Sequence, residues 1–452
     1  MKTVFLFIKN PLFISDLLRT DYIRYLSSKY RVFVFTSVRP EAGWASEYFS
    51  GLNVEYVPWR LQHPRSCAFW KRLRGAMMHE LDYLTGVSVY YESQMFLRDK
   101  RARLLRAVSR PFAPYLTIDA FTKFEVFTSA RSPLFDDYVK RYEPSLVITA
   151  TPGIQAYDAE AIILARKAGV PTLATNFSWD NLTGFKAIRI RKPDYLFVWN
   201  ELVREAAVTL HRFSPSRVFV TGSARFDRYF TLKTSLPSRE EFLRAKGLDP
   251  ARQTILFATI GAKAGSFEID YIRKILAMRG RELPAINLLI RLHPFDKIER
   301  YAEFLNLPAV RVEPAGKQVR VGNTGRTQTE MDDEDFANLK ATLVYTDLNI
   351  NYKSTISLES CLFGKPVINF VDPVRPFQNK YYYEEASYYR PFVKFGAVRV
   401  VQSPDEFLKT IKEYLEHPEL DRDNRERVAK LYIPYRDGLS YKRAVDFIER
   451  II

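Results

Sequence analysis

Hydrophobic positions in this chain come in two patterns: short unbroken runs, and stretches with an apolar residue every three or four positions. Residues 3–8, RVFVFT at 31–36 and NVEYV at 53–57 are of the first kind. Residues 15–29 are of the second, with Leu17, Leu18, Ile23 and Leu26 on one stripe. Short apolar runs read as buried strands, and a 3.6-residue period reads as helix. A charged, helical middle follows at about 65–140, without clean alternation. The pattern then predicts strands at Leu146–Thr149, Pro171–Asn176, Tyr195–Val198 and Arg217–Val220. It also predicts a helix over Asp158–Ala168, closed by Gly169, and another from Glu201.

Polar turns with Pro237 and Pro250 occupy 222–252 and separate this series from a second one. The second predicts strands at 254–259, 287–291, 310–312, 343–346, 366–370 and 397–401. Its helices are expected at 269–278, 335–340, 357–363, 403–415, 422–429 and 440–452. Strand–helix–strand repetition at this spacing implies parallel sheets covered by helices. The expected fold class is α/β: two doubly wound Rossmann-like domains facing across a cleft. The expected bounds are 1–235, 236–437, and a C-terminal helix at 438–452 that returns to the first domain. Ligands of such sheets lie beyond the carboxyl ends of the strands, and the interdomain cleft is the default site.

Composition narrows the function. With 452 residues, 47% of them hydrophobic, the chain has ample material for two cores and no need of disulfides. Cys67 and Cys361 form no framework, and the five histidines have no structural zinc spacing. The first apolar run is too short for a signal peptide, and no run reaches the roughly 18–20 residues of a spanning helix. The expected place is therefore the cytoplasmic side. The formal charge of +16 calls for anionic partners, and part of it is local. Residues 61–110 hold ten Lys or Arg against four Asp or Glu, interleaved with Trp70, Tyr83, Tyr90, Tyr91, Met95 and Phe96. That mix suits an anionic membrane surface on the inner face of the cell membrane, or else an ordinary solvated face. Nucleic acid is not expected, because no zinc finger, RNA-binding strand or tandem basic segment is present.

Four segments carry candidate chemistry. In YTDLNINYKSTISLESCLFGKPVINF (345–370), a strand ending at Thr346 is expected, then a polar turn at Asp347–Asn351, then a helix. Ser354 or Thr355 starts that helix, Lys353 adds a charge, and the free N–H groups of its first turn suit a phosphate. Glu359, about a turn further on, is placed to accept from ribose or sugar hydroxyls, or is an ordinary surface acid. In NLLIRLHPFD (287–296), Arg291 and His293 share one face at a strand end and need a counter-charge, from a phosphoryl group or from an acid such as Asp296. TILFATIGAKAG (254–265) places Gly261 and Gly265 after a strand, where glycines permit close backbone approach. It is neither a phosphate-loop NTPase motif nor a nicotinamide fingerprint. In NFSWDNLTGFK (176–186), Asp180 is a candidate general base or a carboxylate that holds the loop. Arg225 follows the last strand of the first series and is a further phosphate candidate. His79 precedes Glu80 in a helical stretch, where no second histidine completes a zinc-protease motif, and His211 and His417 read as helix-terminal or surface residues.

RLHP at 291–294 and KSTISLESCLFGKPVINF at 353–370, on serial doubly wound domains, resemble the GT-B class of nucleotide-dependent transferases. They are most similar to bacterial surface-polysaccharide glycosyltransferases and CDP-glycerol glycerophosphotransferases. The resemblance implies a donor nucleotide in the second domain and an acceptor on the first. Ser354 and Thr355 would meet the donor phosphates, Glu359 the ribose or sugar, and His293 the phosphate chemistry. Asp180 is carried as the second catalytic candidate. No cofactor or metal is implied, since the activated donor is itself the substrate. The glycerophosphate enzymes often carry an acid further down this final motif, whereas here Asn349 and Asn351 flank the turn and Glu359 is the only nearby acid in the helix. On that ground the leading expectation is a glycosyltransferase moving sugar from a nucleotide sugar to a lipid-linked or polymeric glycan acceptor. The alternatives are a CDP-glycerol-type glycerophosphotransferase, a nucleotide-sugar epimerase, and a non-catalytic nucleotide-binding or scaffolding protein.

Overall fold

The computed structural model describes residues 1–9, 11–37, 49–77, 104, 107–108, 110–115, 117–176, 178–183, 190–231, 236–261, 267–321 and 326–452. Most of the basic segment at 61–110, with Tyr83, Tyr90, Tyr91, Met95 and Phe96, lies outside them, as do His79 and Gly265.

The first series forms β1 (Thr3–Phe7), β2 (Arg31–Thr36), β3 (Val54–Pro58), β4 (Pro144–Thr149), β5 (Thr172–Thr175), β6 (Tyr195–Val198) and β7 (Val218–Val220). They make one parallel sheet in the order β3-β2-β1-β4-β5-β6-β7. All five side chains of β1 are buried, as expected of a strand covered on both faces. The second series opens with β8 (Thr254–Ala258), β9 (Asn287–Arg291) and β10 (Val310–Glu313), followed by the hairpin β11 (Lys317–Val321) and β12 (Arg326–Glu330). It continues with β13 (Leu348–Asn351), β14 (Val367–Phe370) and β15 (Arg399–Val401). Without the hairpin these form a second parallel sheet, β10-β9-β8-β13-β14-β15. The molecule is thus two Rossmann-like α/β units in series, the GT-B-type architecture.

Six helices position the site: α1 (Pro11–Leu17), α2 (Asp21–Lys29), α3 (Ala224–Thr231), α4 (Asp333–Tyr345), α5 (Thr355–Leu362) and α6 (Ser440–Ile448). Thr20, as the N-cap of α2, splits the single helix expected at 15–29 into two. The strand expected at 343–346 is the end of α4, and the turn expected at 347–351 contains β13. Asn349 and Asn351 disguise β13 as a turn, yet both are buried: the Asn351 amide donates to Asn349 Oδ1 and its own Oδ1 accepts from Asn369 Nδ2 and Ser357 Oγ, while Asn349 Nδ2 finds no partner among the described residues. His211 follows the end of the helix Glu201–Thr209, as expected, but is not a surface residue. It is buried, its Nε2 lies 2.6 Å from the Leu182 carbonyl oxygen, and burial depresses its pKa to about 4.

The two units are joined by more than the chain. The final helix, α6, packs against the first: Ala444, Val445 and Ile448 share a core with Tyr22, Ile23 and Leu26, and Tyr25 Oη donates to Asp446 Oδ1 at 2.9 Å. Gly222 lets this helix start approach, since a Cβ there would fall 2.4 Å from Ser440 Oγ. From the other direction, Trp179 in the loop after β5 is buried among Tyr388, Tyr389, Phe392 and Tyr432 of the second unit. Among the described residues, the ion pairs Arg19–Glu330, Arg225–Glu359 and Arg228–Asp333 cross between the units, each with its arginine on the first.

Candidate active site

In the second sheet the chain runs outward from β8 through β9 to β10, then returns to β13 and runs outward through β14 and β15. The direction reverses between β8 and β13, and a crevice forms at such a switch point, beyond the carboxyl ends of the strands. Gly261, His293 and the Lys353–Thr355 turn follow β8, β9 and β13, so three separate sequence segments lie at the carboxyl ends of three adjacent strands.

The turn after β13 is held from beneath. Asn351 Oδ1 accepts from the Ser354 N–H at 3.0 Å and from Ser357 Oγ at 3.0 Å. Tyr389 Oη donates to Asn369 Oδ1 at 2.6 Å and lies 2.9 Å from Ser357 Oγ. Lys353 takes a left-handed backbone, φ 44°, and its ammonium sits 3.0 Å from the centre of the Tyr382 ring. Ser354 is the N-cap of α5, yet its side chain makes no capping hydrogen bond, and the first turn of α5 carries no acid. An uncapped helix start with an adjacent lysine and no carboxylate is suited to an anion.

His293 is fixed on both sides. Its N–H donates to Thr259 Oγ1 at 2.8 Å, and its Nδ1 accepts from the Phe295 N–H at 3.2 Å. A ring nitrogen that accepts is unprotonated, so the neutral ring carries its proton on Nε2. Burial lowers its pKa further, with Asp296 opposing, which keeps the imidazole neutral. The side chain is therefore a donor through Nε2. Gly261, at φ +85°, faces it: a Cβ there would come within 3.0 Å of His293 Nδ1.

Other expected contacts resolve differently. Arg291 is buried and pairs with Glu313 of the neighbouring strand at 3.1 Å, not with Asp296. Lys246 and Asn338 bind the same carboxylate, so the protein supplies the counter-charge that Arg291 needs. Arg225 and Glu359 were expected on phosphate and on ribose or sugar. They bind each other, Nη2 to Oε1 at 3.0 Å, with Glu359 only 3% exposed. Asp180 Oδ1 accepts from Ser178 Oγ at 2.6 Å, and its charge joins burial in raising the pKa of Tyr388. Two residues that the sequence reading did not single out complete the area. Asp16 of α1 faces Arg225, Arg228 and Glu359, and Asn176 follows β5.

A family model for CDP-Glycerol:Poly(glycerophosphate) glycerophosphotransferase matches residues 177–450, more than half of the chain. The chain belongs to that family. Membership makes it a nucleotide-donor enzyme of the GT-B type, and it favours the alternative drawn from the sequence over sugar transfer. The family match outweighs the departure noted in the final motif, and Asn349 and Asn351 lie buried in β13 and not in a turn. No curated protein sequence matches the chain. Among solved structures, UDP-GlcNAc 2-epimerase from Neisseria meningitidis bound to UDP-GlcNAc is similar over 100% of both chains, with TM-score 0.56 and 12% identity. A glycosyltransferase from Rickettsia africae ESF-5 matches at TM-score 0.52 and 8% identity over 100% of this chain and 98% of its own. A histidine-to-asparagine variant of the wall teichoic acid polymerase TagF, soaked with CDPG, matches at TM-score 0.50 and 12% identity over 99% of this chain and 88% of its own. At such identities the likeness is one of fold.

Proposed function

We propose that this glycerophosphotransferase-family protein moves a phosphoalcohol from a CDP-activated donor to a hydroxyl of a polymeric or lipid-linked acceptor, in surface-polymer assembly. The observation that carries the reading is the open start of α5 at the switch point. The donor diphosphate sits against the first N–H groups of α5 and the Ser354 and Thr355 hydroxyls, with the Lys353 ammonium beside it.

An acceptor oxygen attacks the phosphorus that bears the glycerol, and CMP leaves. Charge grows on the departing phosphate. Fixed N–H donors, a lysine and the His293 Nε2–H act on that charge without reorganising, which is where enzymes gain most in phosphoryl transfer. Gly261 leaves His293 the room to take that position. Arg291 and Glu313 form the wall behind it. Asp180 braces the loop that seats Trp179, and the Arg225–Glu359 pair holds the units together. No described helix is long and apolar enough to cross a membrane. A peripheral contact is part of the proposal, because Phe69, Phe112, Tyr115, Phe124 and Phe127 are exposed on the first unit, Phe127 by 81%.

A donor panel tests the reading. CDP-glycerol, UDP-GlcNAc and GDP- and dTDP-sugars are each offered with a primed acceptor, and nucleotide release is measured. Release of CMP from CDP-glycerol alone supports phosphoalcohol transfer. Release of a nucleoside diphosphate from a sugar donor restores glycosyl transfer.

A further inference from the structure

On the first unit, the carboxyl ends of β5, β6 and β7 enclose a hollow of about 50 Å³. Asp16, Tyr22, Thr175, Asn176, Thr221 and Arg225 are among the residues that line it. Asn176 is 3% exposed, yet among the described residues neither its amide nitrogen nor its amide oxygen has a partner. Tyr22 Oη, also buried, has none either. Buried polar groups are nearly always satisfied, so three unmet atoms around one hollow point to a polar guest. Asp16 faces the same space, and no hydrogen bond among the described residues reaches its carboxylate. The charges that bear on it are Arg225 and Arg228 of α3 and Glu359 of α5. Because Arg225 lines the hollow and also grips Glu359, the hollow and the donor helix lie on either side of a single ion pair.

We propose that this hollow receives the hydroxyl-bearing end of the acceptor, with Asn176 and Tyr22 ordering its hydroxyls and the Asp16 carboxylate taking the proton of the one that attacks. The proposal rests on the phosphoalcohol-transfer reading and adds the acceptor chemistry. A water needs roughly 10–15 Å³ by the same measure, so the hollow admits only a few water-sized groups. That suits the open-chain end of a polyol and is too small for a sugar ring. The step balances. The acceptor oxygen forms a bond to the glycerol-bearing phosphorus of CDP-glycerol, and the bond from that phosphorus to the bridging oxygen breaks. Its electron pair leaves with CMP, and the acceptor proton passes to Asp16, then to water. Neither Asp16 nor Asn176 falls within the family-matched residues 177–450, so the family assignment does not supply this role.

The test uses the full chain, CDP-glycerol and a short synthetic glycerol-phosphate oligomer as acceptor. Asp16→Asn is expected to lower kcat by about 100-fold or more, the usual scale of a lost general base, while calorimetry finds CDP-glycerol affinity unchanged. Unchanged donor affinity also reports an intact fold. The acid limb of the wild-type rate profile, centred near the Asp16 pKa of about 6, should vanish in the variant. Asn176→Ala is expected to raise the acceptor KM by about tenfold and leave the donor KM alone. Asp16→Asn turnover within about threefold of wild type, with the acid limb intact, overturns the proposal and leaves the donor reading standing. A wild type that releases no CMP from CDP-glycerol overturns the donor reading, and this acceptor assignment with it.

Discussion

Asp16→Asn should make the folded protein more stable, and the gain should depend on pH in a defined direction. Burial is the largest influence on this carboxyl and raises its pKa from 3.8 to about 6, even though Arg225 and Arg228 pull the other way. The arginines are therefore already included, and the net environment still disfavours the charge. A shift of about two units corresponds to about 3 kcal/mol. Asp16 keeps some solvent exposure, which trims the penalty to about 2 kcal/mol. Below about pH 3 the carboxyl is protonated in both folded and unfolded chains, and it costs nothing. As pH rises through the interval from 3.8 to about 6, the unfolded chain ionises first, so stability is lost, and the loss is complete above it. The asparagine variant escapes that loss. Urea unfolding of both proteins at pH 3 and pH 8 should give a difference near zero at the lower pH and about 2 kcal/mol in favour of the variant at the higher. A variant that is less stable than wild type at pH 8 would refute the reasoning. It would mean that the arginines hold Asp16 as a stabilising anion with a depressed pKa, unfit to take a proton.

Three further outcomes follow from the same geometry. Arg225→Ala leaves Glu359 buried and unpaired, so urea unfolding should show a loss of about 3 kcal/mol, most of it recovered when Glu359→Leu is combined with Arg225→Met. Gly261→Ala forces a left-handed backbone on a residue with a Cβ, costing about 1–2 kcal/mol, and presses on His293, so kcat should fall while thermal stability drops only slightly. Because burial holds His293 below its usual pKa and Nε2 acts as a donor, kcat should stay flat from about pH 7 to 9 and fall about 100-fold in His293→Ala; an ionisation inside that window that disappears with the histidine would contradict the donor role.

The inner strands of the first sheet, such as β1 and β2, were legible because they are buried on both faces and carry unbroken apolar runs, Val4–Ile8 and Val32–Phe35. The central strand of the second sheet was not. β13 alternates leucine and isoleucine with asparagine, and only the tertiary network of Asn349, Asn351, Asn369, Ser357 and Tyr389 makes those amides tolerable inside a core. The start of α5 was readable from Lys353, Ser354 and Thr355, since helix starts have a local signature. The counter-charges were not. Glu313 lies 22 residues from Arg291, and Glu359 lies 134 from Arg225, separations that no local pattern reports. Asp16 and Asn176 escaped notice for a related reason: an acid within a short helix and an asparagine after a strand become unusual only once the fold withholds their partners.

The start of α5 can be tested by closing it. Ser354→Asp places a carboxylate at the N-cap, where it satisfies the free N–H groups from within and adds about 0.5–1 kcal/mol to the helix. Calorimetric titration of CDP-glycerol should then show Kd raised by about 100-fold or more in a protein at least as stable as wild type, because the diphosphate meets a charge of its own sign. Donor affinity equal to wild type in that variant would place the nucleotide elsewhere and contradict the account.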